Sequence, residues 1–87
     1  MDWNLSWDDR AYQDLDELDV AIAERIVKKV SSYLICDPMS LGKTLSGNLS
    51  GMYSYRFGNY RVIYRIILSD KHVVIRHIGH RRDVYDI

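Results

Sequence analysis

The length, composition and charge of this chain exclude several classes of protein. Its 87 residues, 47% of them hydrophobic, suffice for one globular domain spanning residues 1–87, without a membrane-crossing run or a visible signal peptide, which predicts a cytoplasmic protein. The net charge of zero argues against a strongly basic nucleic-acid binder. However, nine of the twelve acidic residues precede Pro38 and eight of the twelve basic ones follow it, which indicates an anionic partner or salt bridges between the halves.

The first half of the chain predicts a strand followed by a helical hairpin. Apolar and polar residues alternate from Trp3 to Trp7, as in a short strand. Asp8 and Asp19 are of a residue type that caps helices, and each precedes a segment in which apolar side chains recur at spacings of three and four. Pro38 is expected to end the second helix, because proline cannot continue the helical hydrogen-bond ladder.

The second half predicts a loop and then three strands. Residues 39–51 are rich in glycine, serine and threonine, whereas residues 52–57, 60–68 and 72–80 are rich in aromatic and β-branched side chains. Gly58-Asn59 predicts a two-residue turn between the first two of these strands. The predicted fold class is α+β, a small antiparallel-rich sheet of about four strands in the order β-α-α-β-β-β, with the N-terminal helical hairpin packed on one face.

The predicted register brings basic side chains together. The turn sets Arg56 opposite Arg61, and pairing Leu68 with Val73 in the next hairpin sets Arg61 opposite His80. Because like charges directly opposite on a sheet are destabilising, this basic cluster predicts either a bound anion or a solvated face whose arginines pair with carboxylates elsewhere in the chain. The other face carries the predicted core, which comprises Tyr53, Tyr55, Phe57, Tyr60, Val62, Tyr64, Ile66, Leu68, Val73, Ile75 and His77.

Six residues with three kinds of side chain remain as candidates for chemistry, namely Arg56, Arg61, His80, Arg81, Arg82 and Tyr85. Guanidinium groups bind phosphate bidentately, an imidazole titrates near neutrality, and a phenol can transfer a proton. Because RNA carries its own nucleophile, the 2′-hydroxyl, such a set could form a ribonuclease without a metal or a cofactor, and the sequence predicts neither. Taken singly, each of these residues is better explained by packing or by exposure to solvent.

A lysine in the predicted loop completes the set of candidate phosphate-binding residues. Gly42-Lys43-Thr44 ends like a P-loop but lacks the earlier glycine and the following helix of that motif, so a nucleotide site is not expected. The predicted phosphate-binding residues are Lys43, Arg56, Arg61, Arg81 and Arg82.

Two segments resemble a known family of bacterial and archaeal toxins. Residues 45–64 read Leu-Ser-Gly-Asn-Leu-Ser-Gly-Met-Tyr-Ser-Tyr-Arg-Phe-Gly-Asn-Tyr-Arg-Val-Ile-Tyr, and residues 78–85 read Ile-Gly-His-Arg-Arg-Asp-Val-Tyr. Both are similar to the RelE/ParE superfamily, and most similar to its RelE branch. The order of the predicted strands and helices also fits that family, so the resemblance extends over nearly the whole chain.

The resemblance implies an activity and assigns residues to it. It implies a toxin that enters the ribosomal A site and cleaves translated mRNA. By position, Arg61 and Arg81 match family arginines that hold the scissile phosphate, and Tyr85 matches a C-terminal tyrosine proposed to act in proton transfer. His80 is a further candidate acid or base. Ser54 stands at a site that is lysine in the best-known branch, where a cation could act as a base or stabilise the transition state.

The resemblance also implies a partner and leaves alternatives open. It implies an antitoxin from the same operon, expected to be acidic, that covers the cationic face or displaces the segment bearing Tyr85 within a toxin–antitoxin hetero-oligomer. A ParE-like inhibitor of DNA gyrase and a catalytically degenerate module that only binds the antitoxin are the two alternatives to the ribosome-dependent nuclease.

Overall fold

A computed structural model describes residues 3–80 of the chain. Five strands and three α-helices alternate with three short 3₁₀ turns, in the order β1 (Asn4–Trp7), α1 (Asp9–Glu17), α2 (Val20–Ser32), α3 (Pro38–Leu41), β2 (Lys43–Thr44), β3 (Met52–Phe57), β4 (Tyr60–Ile67) and β5 (His72–His80). No helix within the described range is long and apolar enough to cross a membrane.

The strands form one mixed sheet in the spatial order β1-β5-β4-β3-β2. β1 runs parallel to β5, and every other neighbouring pair is antiparallel. The predicted α+β class and antiparallel-rich sheet are therefore confirmed, but the sheet has five strands instead of about four. The additional strand, β2, was predicted as part of a loop because two residues are too few to show an alternating pattern.

The helical hairpin buries one stripe of each helix against the sheet. Ala11 of α1 and Ile26 and Val30 of α2 are fully buried, as the spacing of three and four residues predicts. They join a core whose strand members are Tyr55, Val62, Tyr64, Val73, Ile75 and Ile78. Pro38 does not end α2, which finishes at Ser32. It is instead the first residue of α3, where its missing N–H is not needed.

The register of the first hairpin is confirmed, and that of the second was wrong. Gly58 adopts φ 59° in the turn, and Arg56 lies opposite Arg61. In the second hairpin Val73 pairs with Ile66 instead of the predicted Leu68, a difference of two residues, and a bulge next to Ile63 restores one of them, so that Arg61 lies opposite Gly79 and Tyr60 lies opposite His80. The bulge leaves Arg76 without a partner in the ladder and shifts every later residue of β5 by one.

This shift changes which side chains are buried. Ile78, predicted on the outer face, belongs to the core instead, whereas Leu68, predicted in the core, is 62% exposed because β4 ends one residue before it. His77 is buried, as predicted. Ile63 is fully buried although it shares the outer face with Arg61, so this face is partly covered near the middle of the sheet.

Candidate phosphate-binding site

The candidate site begins with two arginines at the tip of the β3–β4 hairpin. Arg56 and Arg61 are direct cross-strand partners, which the tight turn at Gly58 fixes. Arg61 donates a hydrogen bond from Nη1 to the carbonyl oxygen of Tyr60 at 3.3 Å. That bond uses one of the five guanidinium N–H groups, so both side chains retain donors for an anion.

β2 adds a lysine to the same face of the sheet. Lys43 pairs with Ser54, and Ser54 pairs in turn with Ile63, one row away from the two arginines. Lys43, Arg56 and Arg61 together border a cavity of about 450 Å³. We call it the basic pocket, and its remaining lining residues are Ser40, Leu41, Gly42, Leu45 and Ser54. None of its lining residues between positions 3 and 80 is a carboxylate, and the three charged ones are all cationic.

The three cations of the basic pocket form no ion pair with any residue from 3 to 80. The ion pairs of this part of the chain join Arg10 to Asp14, Arg76 to Asp8 and His77 to Asp14. Carboxylates elsewhere in the described chain therefore do not neutralise Arg56 and Arg61, and of the two readings of this face the bound anion is favoured. One ammonium and two guanidinium groups bordering the same cavity suit an oxyanion such as phosphate, because all three are cationic hydrogen-bond donors.

His80 lies away from the basic pocket. Because the bulge moves His80 opposite Tyr60, its ring packs edge-on against the Tyr60 ring with the centroids 5.9 Å apart. It borders a second cavity, of about 440 Å³, together with Arg10, Asp14 and Glu17 of α1. The predicted juxtaposition of His80 with Arg56 and Arg61 was therefore wrong, because β5 begins pairing two residues away from the predicted register and the bulge restores only one of them.

A polar network that the sequence did not reveal joins α1 to β5 beside this second cavity. One oxygen of Asp14, Oδ2, accepts hydrogen bonds from Nδ1 of His77 at 2.5 Å and from the backbone N–H of Ile78 at 2.9 Å. Nη2 of Arg10 lies 3.5 Å from Nε2 of His77. The network fixes the strand just after the bulge.

Three predicted site residues, Arg81, Arg82 and Tyr85, lie outside the described residues. Within residues 3–80, no group of three or more histidine, cysteine, aspartate or glutamate side chains could hold a metal ion. The described part of the candidate site is thus a cationic surface built from one lysine and two arginines.

Comparison with known proteins agrees with the strands and helices described above. The family model for the ParE toxin of the type II toxin–antitoxin system parDE matches residues 5–85. Toxin RelG of Mycobacterium tuberculosis is 36% identical over 87 residues, which are 98% of this chain and 98% of that protein. Toxin RelE of the same organism is 40% identical over 75 residues, which are 86% of this chain and 77% of the relative.

A solved structure extends the similarity to three dimensions. The toxin–antitoxin complex RelBE2 from Mycobacterium tuberculosis contains a chain that superposes with a TM-score of 0.86 at 33% identity. The match covers 93% of this chain and 93% of that one. The family match over residues 5–85 spans the helical hairpin and every lining residue of the basic pocket, and the chain therefore belongs to the RelE/ParE family of type II toxin–antitoxin toxins.

Proposed function

We propose that this protein is a ribosome-dependent endoribonuclease that cleaves mRNA in the ribosomal A site and so inhibits translation. The observation that carries the proposal is the basic pocket, in which Lys43, Arg56 and Arg61 converge without a carboxylate from the described residues. A surface that keeps like charges together against their repulsion is suited to an anionic substrate, and an RNA phosphate is such a substrate. The proposed toxin comprises a single domain, residues 1–87, acting in the cytoplasm.

The proposed reaction is an intramolecular attack within the RNA. The 2′-oxygen bonds to the adjacent phosphorus, the bond from phosphorus to the 5′-oxygen breaks, and the products are a 2′,3′-cyclic phosphate and a 5′-hydroxyl. One group removes the proton of the 2′-hydroxyl and another supplies a proton to the departing 5′-oxygen. The nucleophile belongs to the substrate, so the protein's tasks are positioning, charge stabilisation and proton transfer.

The proposed roles follow from the family resemblance, together with the positions of the described side chains. Arg61 and Arg81 hold the scissile phosphate, and Arg56 adds positive charge on the same side of the sheet as Arg61. Tyr85 transfers a proton. His80 remains a candidate for the second transfer, but its position opposite Tyr60, outside the lining of the basic pocket, favours Tyr85 over His80. Arg82 is proposed to contact the RNA backbone.

The proposed partners are the ribosome, its mRNA and an acidic antitoxin. The relative RelBE2 was solved as a toxin–antitoxin complex, which supports an antitoxin partner and a hetero-oligomer here. An antitoxin that places carboxylates over the basic pocket would neutralise the unpaired cations and occlude the RNA at the same time. Alternatively, the antitoxin inhibits the protein by displacing the segment that bears Tyr85.

A second candidate function is inhibition of DNA gyrase, which the match to the ParE toxin model favours. Induced expression in a bacterial host separates the two candidates. Arrest of translation with mRNA cut between codon positions supports the nuclease, whereas induction of the DNA-damage response with intact mRNA supports gyrase inhibition. If neither occurs, a module that only binds the antitoxin is favoured.

A matched pair of arginine variants sharpens this experiment. Arg61→Ala should abolish cleavage, because it removes the guanidinium proposed to hold the phosphate. Arg65→Ala removes the same charge from the same strand and the same face, four residues away and outside the basic pocket, and should leave cleavage unchanged. Cleavage that survives Arg61→Ala would refute the site assignment.

A further inference from the structure

We propose that Lys43 contacts the scissile phosphate of the RNA and stabilises the transition state, with its ammonium group reaching over Ser54 from the neighbouring strand. This inference rests on the proposed function, which it extends by assigning a catalytic contact to a residue outside the β3–β4 hairpin. It also gives a role to the Gly42-Lys43-Thr44 segment, which does not form a P-loop.

The sheet places Lys43 beside the two arginines of the basic pocket. Lys43 is the direct partner of Ser54, and Arg56 and Arg61 occupy the adjacent row on the same face. β2 and β4 are separated by β3, so their backbones lie roughly 10 Å apart. The side chains of Lys43 and Arg61 therefore border the basic pocket from opposite sides.

The side chain next to Lys43 on the neighbouring strand, Ser54, is small. It lies between the cations, is 7% exposed and forms part of the lining of the basic pocket. The serine carries no charge, and Lys43, its direct partner on the next strand, supplies a positive charge beside it.

An anchor holds Lys43 in place. Tyr64 is fully buried and donates a hydrogen bond from its hydroxyl to the carbonyl oxygen of Pro38 at 2.5 Å. The chain then passes so close to this phenol that a Cβ added at Gly42 would lie 1.9 Å from Oη. Only glycine permits this approach, and the next residue is Lys43, whose backbone pairs with β3.

The anchor matters because a mobile lysine contributes little to catalysis. An exposed lysine side chain has many rotamers, and ordering its backbone lowers the entropy lost when its ammonium binds. The described residues offer Lys43 no carboxylate partner, so its charge is available to the substrate. A cation placed where negative charge develops in the transition state increases kcat.

The test compares variants of Lys43 in cleavage by purified protein on ribosomes loaded with a defined mRNA. Lys43→Gln keeps the approximate length without the charge and should lower kcat by about 10²-fold, whereas Lys43→Arg should retain most of the activity. Lys28→Gln, which removes a lysine from α2 outside the basic pocket, should behave as the wild type. Thermal unfolding checks that each variant is folded.

A rescue experiment separates charge at this site from a structural role. In Lys43→Gln, the added substitution Ser54→Lys returns a cation to the adjacent strand position. The double variant should cleave at least ten times faster than Lys43→Gln. If the double variant unfolds because the buried position does not accept lysine, the rates of Lys43→Gln and Lys43→Arg distinguish a role of the charge from a structural role. Wild-type rates for Lys43→Gln, with Arg61→Ala inactive, would overturn the inference and leave the proposed function intact.

A binding measurement tests the same contact without the ribosome. A short single-stranded DNA oligonucleotide lacks the 2′-hydroxyl and cannot be cleaved by the proposed reaction, so its affinity reports binding without the chemical step. Lys43→Gln should weaken this binding and reduce its dependence on salt, because one released counterion is lost. Equal affinity and equal salt dependence for Lys43→Gln and the wild type would refute the contact. If the wild type leaves mRNA on the ribosome intact, the proposed function fails, and the catalytic role of Lys43 fails with it.

Discussion

Removing one arginine from the opposed pair should stabilise the folded protein. Two unit charges about 6 Å apart in a water-like medium repel each other by about 0.7 kcal/mol, within the roughly 0.2–1 kcal/mol measured for like charges opposite on sheets. Arg56 is exposed and forms no ion pair with the described residues, so Arg56→Gln relieves this repulsion without breaking a salt bridge. The expected gain in the free energy of unfolding is about 0.5 kcal/mol.

Urea unfolding at two salt concentrations measures this gain. The advantage of Arg56→Gln should be present at low salt and nearly vanish at 1 M salt, where the Debye length falls to about 3 Å. Arg65→Gln serves as the control, because Arg65 lies opposite Met52 and Val74 and faces no like charge across the ladder. Inorganic phosphate should raise the urea midpoint of the wild type more than that of Arg56→Gln, since ligands stabilise the state that binds them. A loss of stability above 1 kcal/mol in Arg56→Gln, independent of salt, would refute the reasoning.

Three further predictions concern the contacts that support the site. Asp14→Asn removes the carboxylate that accepts from His77 and Ile78 and should cost about 1–3 kcal/mol in urea unfolding; a cost below about 0.5 kcal/mol would contradict this. Gly42→Ala should cost about 1–3 kcal/mol through its clash with the Tyr64 hydroxyl, and adding Tyr64→Phe should recover part of that cost in a double-mutant cycle, whereas strict additivity would exclude the clash. Burial raises the pKa of Tyr64 above its ordinary value of 10.0, so the unfolded chain releases this proton first and stability, complete below pH 10, falls as the pH rises further. Tyr64→Phe removes the hydrogen bond to Pro38 and should lower the free energy of unfolding by about 1 kcal/mol at neutral pH. Its stability should fall less steeply above pH 10 than that of the wild type, and an equally steep fall would contradict the assignment.

The parts of the fold that the sequence predicted are those that local patterns determine. The turn at Gly58 determines the pairing of Arg56 with Arg61, because a two-residue loop allows one register. The stripe of Ile26 and Val30 likewise predicts the buried face of α2. The family resemblance assigned roles to Arg81 and Tyr85, which lie outside the described residues, and those roles stay predictions.

The parts that the sequence did not predict depend on contacts between distant elements. The sequence of β5 carries no local signal for the bulge. The bulge is accompanied by a hydrogen bond from the Ile78 N–H to Asp14, which belongs to a distant element, α1. The turn between β4 and β5 sets a register two residues from the predicted one, and the bulge restores one, so His80 lies opposite Tyr60 instead of Arg61. β2 was missed because its two residues are placed by Tyr64 and Gly42, and not by their own propensity.

The central claim is that the basic pocket holds an RNA phosphate during cleavage, and mapping of mRNA ends on programmed ribosomes tests it most directly. Purified wild-type protein should cut the mRNA in the A site and leave a 2′,3′-cyclic phosphate and a 5′-hydroxyl. Arg65→Ala should produce the same ends at the same rate, and Arg61→Ala should produce none. Intact mRNA with the wild type, or equal cleavage by Arg61→Ala and Arg65→Ala, would contradict the account.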